Sequence, residues 1–220
     1  MNIRECIASN IPMYITIPNQ ELSCDMTTKS GIQVRFDDLE NLEVRAEDIR
    51  FASENICRYC GHANWRLIKH HALVAELATE YFIRGRIKDP KTPGYASIHD
   101  FHEVYVTDVP HGLKKYIPDY CAIEHRAETR IHKVLGLDIL KKNTEEVDFI
   151  DRRALVTEMA LLGHPGYWAN ALKYGGRMED FEEEIFYIVR DESTDKNWSR
   201  VMEIYNKTLE LVKKEDNNGN

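Results

Sequence analysis

Long apolar runs are missing from this 220-residue chain. None approaches the ~18 residues that a membrane-crossing helix requires, and no secretory apolar segment opens it, so no membrane partner is expected. Clustered lysine and arginine are missing too. With 29 basic against 37 acidic residues the formal charge is −8, which argues against a polymeric nucleic acid as partner. A small anion stays open, because a local cluster of basic side chains and a metal binds phosphate even in an acidic protein. The five cysteines (Cys6, Cys24, Cys57, Cys60 and Cys121) are few, odd in number and scattered, which excludes a disulfide framework and points to a reduced, cytoplasmic protein. Cys57-x-x-Cys60 has no second pair at structural-zinc spacing. There is no internal repeat.

The 43% of hydrophobic residues suffices for one sizeable core, and their spacing is mostly helical. Residues 11–37 are the exception. Met13-Tyr-Ile-Thr-Ile is rich in strand formers, and Ser30-Gly31 interrupts two short runs as a hairpin turn does. From Ala46 onward the spacing predicts helices: one through Ile49, Ala52 and Ile56, one from Trp65 to Ile83, and one from about Tyr95 to Tyr105 after the break at Asp89–Gly94. Further helices are predicted from Pro118 to Leu135, ended by Gly136, and from the cap Asn143 to about Leu162, stopped by Gly163-His-Pro-Gly166. Phe181–Val189 and the run Trp198, Val201, Met202, Tyr205, Leu209, Val212 read as packing helices, and the acidic run Met178–Glu184 as a charged helix face. The expected fold is therefore all-α, a helical bundle with a small N-terminal β hairpin or extended arm. Its parts are a 1–44 extension, a 45–165 core, C-terminal helices over 166–214 that pack on the core or on a subunit interface, and a frayed tail over 215–220.

Five of the nine histidines (His62, His70, His71, His99 and His102) fall close together with Asp100, Glu103 and Asp108. On a helix His99 and Glu103, four apart, would share a face with Asp100 beside them. Mixed imidazole and carboxylate donors suit a divalent ion with open positions for water and a phosphoryl oxygen. A histidine of the preceding helix, His70 or His71, and an acid of a later one, Asp148 or Asp151, would complete the set. Composition does not choose between these neighbours.

The order His71, then His99-Asp100, then Asp151 resembles the H…HD…D signature of the HD phosphohydrolase superfamily. Ile56-Cys-Arg-Tyr-Cys-Gly-His62, Tyr95-Ala-Ser-Ile-His-Asp-Phe-His-Glu103, Thr107-Asp-Val-Pro110, Lys114 and Asp151-Arg-Arg-Ala-Leu-Val-Thr-Glu158 resemble the phage and bacterial hydrolases close to 5′-deoxynucleotidases. That group includes the dATP triphosphohydrolases of phages with 2-aminoadenine DNA. The similarity runs over roughly residues 26–162.

The resemblance implies one divalent metal ion, cobalt, manganese, iron, magnesium or zinc, held by His71, His99, Asp100 and Asp151, His-Ala-Leu and Asp-Arg-Arg-Ala-Leu being the better-matching strings. It implies Glu103 and Asp108 as catalytic groups that position and activate water. Arg58, Tyr59, His62 and Lys114 become substrate contacts. The absence of an acid directly after Glu103 disfavours a guanosine tetraphosphate hydrolase, and no second histidine set appears for a dinuclear phosphodiesterase. The expected activity is hydrolysis of a deoxynucleoside triphosphate, dATP as candidate, to deoxynucleoside and triphosphate. The alternatives are a 5′-deoxynucleotidase acting on monophosphates and a nucleotide-binding domain without turnover. A homo-oligomer, dimer or hexamer, and the host cytoplasm for a phage-encoded chain complete the expectations.

Overall fold

A computed structural model describes residues 25–162, 166, 169 and 181–218. The expected strand at residues 13–17, most of the stop at residues 163–166 and the start of the acidic run lie outside the described residues. The described chain is mostly helical, with one small sheet near its start. Strands β1 (Met26–Thr27) and β2 (Gln33–Val34) pair antiparallel, Met26 opposite Val34. The turn between them needs Gly31, at φ 90°. Asp48, nearly buried, accepts the Ser30 amide (2.8 Å) and hydroxyl (2.7 Å), which fastens this hairpin to the first helix.

The helices are α1 (Ala46–Asn55), α2 (Leu67–Ile83), α3 (Thr92–Ser97), α4 (Glu103–Val106), α5 (His111–Lys114), α6 (Pro118–Val134), α7 (Thr144–Leu161), α8 (Glu183–Asp191) and α9 (Thr194–Asn218). Short 3-10 turns sit at Leu39–Asn41, Tyr59–Gly61 and Ile139–Lys141. No helix among the described residues is long and apolar enough to cross a membrane.

Helix α2 is central. Residues 70–75 are buried without interruption, and α3, α7, α8 and α9 pack around it. One hydrophobic cluster runs from Val34 to Val212, so the C-terminal helices belong to the same core as the central ones. Trp65 and Phe186 stack with centroids 4.8 Å apart and tie α8 to the entry of α2. Helix α9 lies against α3 so closely that a methyl group added at Gly94 would stand 2.2 Å from Thr208 Cβ. Helix α9 continues to Asn218, into the stretch expected to be a frayed tail over 215–220; its buried apolar side ends at Val212 and the turns beyond are exposed.

Two other boundaries follow local chemistry. Asn143 caps α7 as expected, accepting the Glu146 amide at 3.3 Å. The Glu146 side chain does not return to the cap; it accepts the Lys88 amide (2.8 Å) and the Thr92 hydroxyl (2.6 Å), binding α7 to the start of α3. The single helix expected from Tyr95 to Tyr105 is two short helices separated by a turn over residues 98–102. His99 Nδ1–H donates to the Ala96 carbonyl (2.7 Å), and tight i to i−3 amide bonds replace the α-helical ladder through Glu103.

The α3–α9 contact gives a stability test. Gly94→Ala should destabilise the fold by about 1–3 kcal/mol, the usual effect of overfilling a packed contact. Gly112→Ala, with open space at its Cβ, should be neutral or slightly stabilising. Chemical denaturation of the two variants beside the parent measures both.

Candidate metal centre

Four donors converge from three elements: His70 from α2, His99 and Asp100 from the 98–102 turn, and Asp151 from α7. His70 Nε2 lies 3.2 Å from Asp100 Oδ2 and 3.3 Å from Asp151 Oδ1; His99 Nε2 lies 3.1 Å and 3.6 Å from the same atoms. Donors about 2.1 Å from one ion stand roughly 3.0–3.4 Å from each other, so these separations are edges of a coordination polyhedron. Both Nε2 atoms are buried without a hydrogen-bond partner. Each imidazole is oriented from behind, His99 by the Ala96 carbonyl and His70 by Glu158, whose Oε1 accepts Nδ1–H at 2.7 Å. With Nδ1 donating behind the ring, Nε2 is the nitrogen that a cation would take, displacing any proton it carries. The group fits a divalent metal ion.

This placement corrects one ligand. His71, fully buried, turns away from the cluster, its ring 5.1 Å from Phe101 and both nitrogens without partners. Consecutive helix residues point about 100° apart, so only one of the pair reaches His99, and it is His70. Burial pushes the His71 imidazole well below its usual range, which favours its neutral form. Asp151 rather than Asp148 joins the cluster, as expected; Asp148 is exposed. His99 and Glu103 do not share a helical face, because the turn intervenes, yet both reach the site.

Around the donors lie the other expected residues. A cavity of about 360 Å³ is lined by Arg58, Tyr59, Asp100, Glu103, Asp108, Lys114 and Asp151, with apolar Leu155 and Met159 on one wall. Arg58 Nη1 stands 3.8 Å from Asp100 Oδ2 and 3.9 Å from Asp108 Oδ2. Lys114 Nζ bonds Glu124 Oε1 (2.5 Å) and lies 4.0 Å from Glu103 Oε1. Tyr59 donates its hydroxyl to Glu158 Oε2 at 2.7 Å. His62 is exposed and lines neither this cavity nor its neighbour. The neighbouring cavity, again about 360 Å³, shares Asp100, Lys114 and Asp151, and adds His99, His102, Glu124, Glu128 and Lys142.

Charge follows burial and company. Burial opposes protonation of His99, yet Asp100 and Asp151 outweigh it and raise the imidazole to about 10. Burial and Arg58 oppose charge on His70, but Glu158, Asp100 and Asp151 raise it well above its usual value. Against the same burial, the two imidazoles lower Asp100 and Asp151. Burial, then Asp100 and Asp108, push Glu103 well above the usual carboxylate range despite Arg58 and Lys114. Burial raises Asp108 as well, against the pull of Arg58. A carboxyl raised in this way is suited to exchanging protons with water.

Sequence reasoning missed Glu158, Glu124 and His102. Glu158 closed the Asp151 string, but nothing in its own spacing marked it as the partner of His70. Strain also gathers here. Tyr59 and Cys60 follow Arg58 at φ 57° and 53°, and Thr107 precedes Asp108 at φ 70°, ψ 154°. Such non-glycine positions cost about 1–3 kcal/mol each and gather at functional sites.

No family model matches the chain. The uncharacterized protein YfdR of Escherichia coli (strain K12) is 28% identical to it over 138 residues, 62% of this chain and 71% of that protein.

The ligand assignment is directly testable. His70→Ala should lose the bound divalent ion, whereas His71→Leu, which keeps the core filled, should retain it; elemental analysis after dialysis distinguishes them, and the reverse pattern would restore His71. Glu158→Gln should weaken metal affinity by about 10–100-fold, the usual effect of removing a carboxylate behind a ligating imidazole. Calorimetric titration measures it.

Proposed function

We propose that this chain is a metal-dependent phosphohydrolase of the HD type that acts on deoxynucleotides. The observation that carries the reading is the convergence of His70, His99, Asp100 and Asp151, of which Asp100 and Asp151 line a cavity that also holds two raised carboxyls and two cationic side chains. The H…HD…D order then reads His70, His99-Asp100, Asp151. A divalent ion bound there would polarise a phosphoryl oxygen and increase the acidity of water.

The chain's own residues supply the rest. Arg58 and Lys114 offset charge on the phosphate oxygens. Glu103, shielded from solvent and raised above the usual carboxylate range, accepts in its ionised form the proton of the attacking water, and Asp108 orients that water from beside Arg58. Leu155, Met159 and Tyr59 offer an apolar and aromatic wall for a nucleoside. The reaction favoured is release of triphosphate from a deoxynucleoside triphosphate, with dATP as candidate. The second cavity beyond Asp100 and Asp151, with Lys114, Lys142 and His102 on its walls, gives a phosphate chain room past the attacked phosphorus. A homo-oligomer in the cytoplasm remains part of the reading.

Incubation of the metal-loaded protein with a panel of deoxynucleoside mono- and triphosphates tests the proposal. Triphosphate is the expected product. Inorganic phosphate from monophosphates would make the chain a 5′-deoxynucleotidase, and no product from any substrate would leave a binding domain. Glu103→Ala should lower kcat by about 10²–10⁴-fold with metal retained; turnover near the parent's would remove Glu103 from its role.

A further inference from the structure

Thr107 adopts a conformation that β-branched residues avoid, and it does so directly before Asp108. Two hydrogen bonds hold it there. Its amide donates to the Glu103 carbonyl at 2.7 Å, and its own carbonyl accepts the Tyr120 hydroxyl at 2.7 Å. Tyr120 belongs to the first turn of α6. Its ring also lies beneath the Lys114 ammonium, 5.9 Å from the centroid.

We propose that Tyr120 is a positioning residue for Asp108, its hydroxyl clamping the Thr107 carbonyl so that the strained 106–108 backbone keeps the Asp108 carboxylate turned towards Arg58 and the cluster. This rests on the hydrolase reading above. A β-branched residue released from such a clamp returns to negative φ. The peptide after Thr107 then rotates, and Asp108 leaves its place 3.9 Å from Arg58 Nη1. The residue type at 107 matters to the argument, because glycine would hold the same φ and ψ without strain. A weaker contact of the Tyr120 hydroxyl with Glu124, at 3.4 Å, offers a rival route through Lys114.

Tyr120→Phe, Thr107→Gly and the double variant separate the two, measured on the full metal-loaded chain with the substrate found in the panel. Tyr120→Phe keeps the ring under Lys114 and should lower kcat about tenfold or more with KM within about twofold. Thr107→Gly should keep kcat near the parent's. In the Thr107→Gly background the effect of Tyr120→Phe should shrink to about threefold or less. A loss that persists undiminished in that background, a loss confined to KM, or no loss at all would overturn the clamp. Thermal midpoints of the same four proteins give a reading independent of turnover: Tyr120→Phe should lower the midpoint less when residue 107 is glycine, and additive shifts would overturn the clamp. If the parent turns over nothing in the panel, the hydrolase reading falls by itself and the midpoints still decide whether the clamp exists.

Discussion

Glu158 is a carboxylate shut off completely from water, and an isolated charge in that position would be prohibitively costly. The protein keeps it ionised by surrounding it: His70 and Tyr59 bond to it at 2.7 Å, and the Arg58 guanidinium stands 3.5 Å away. Against burial, His70 and Arg58 hold it below the usual carboxylate range. Two of these partners have a second end. His70 turns its other nitrogen to Asp100 and Asp151, and Arg58 turns a terminal nitrogen to Asp100 and Asp108. One buried charge thus fixes the direction of an imidazole that faces Asp100 and Asp151 and of a guanidinium that lines the cavity, and it does so from α7, the helix that also supplies Asp151.

The same neighbourhood gathers Asp100, Glu103, Asp108 and Asp151 within a few ångströms, with Arg58 and Lys114 as the permanent cations facing them. Negative charge is in excess. The excess explains why the two imidazoles are so basic, and it adds to burial in raising Glu103 above the usual carboxylate range. A divalent cation is the economical counterion for such a group, because it offsets several carboxylates at once and occupies the space between donors already set at ligand spacing.

Much of the helical framework was legible because its punctuation is local. Asn143 ahead of Glu146, Pro118 at a helix start and Gly136 past a helix end act through neighbouring backbone groups, so their meaning survives without knowledge of the fold. The site was legible in its acids but not in its first histidine. His70 and His71 lie on a stretch of α2 buried all round, where no polar face exists to say which way either ring points. Only the position of Glu158, 88 residues further on, separates them. The turn at 98–102 was hidden for a similar reason: the apolar spacing of Tyr95 to Tyr105 is compatible with a helix, and the interruption comes from His99 bonding the Ala96 carbonyl.

The near-contact of Gly94 with Thr208 links the metal-binding turn to α9. Helix α3 leads straight into the turn that carries His99 and Asp100, and that turn is braced again where Phe101 stacks on Trp198 of α9. Both braces come from a helix roughly a hundred residues further along the chain, a separation that makes such contacts slow to find. The segment that carries His99 and Asp100 thus takes part of its packing from a helix far along the chain, so that distant helix is part of what shapes the metal-binding turn.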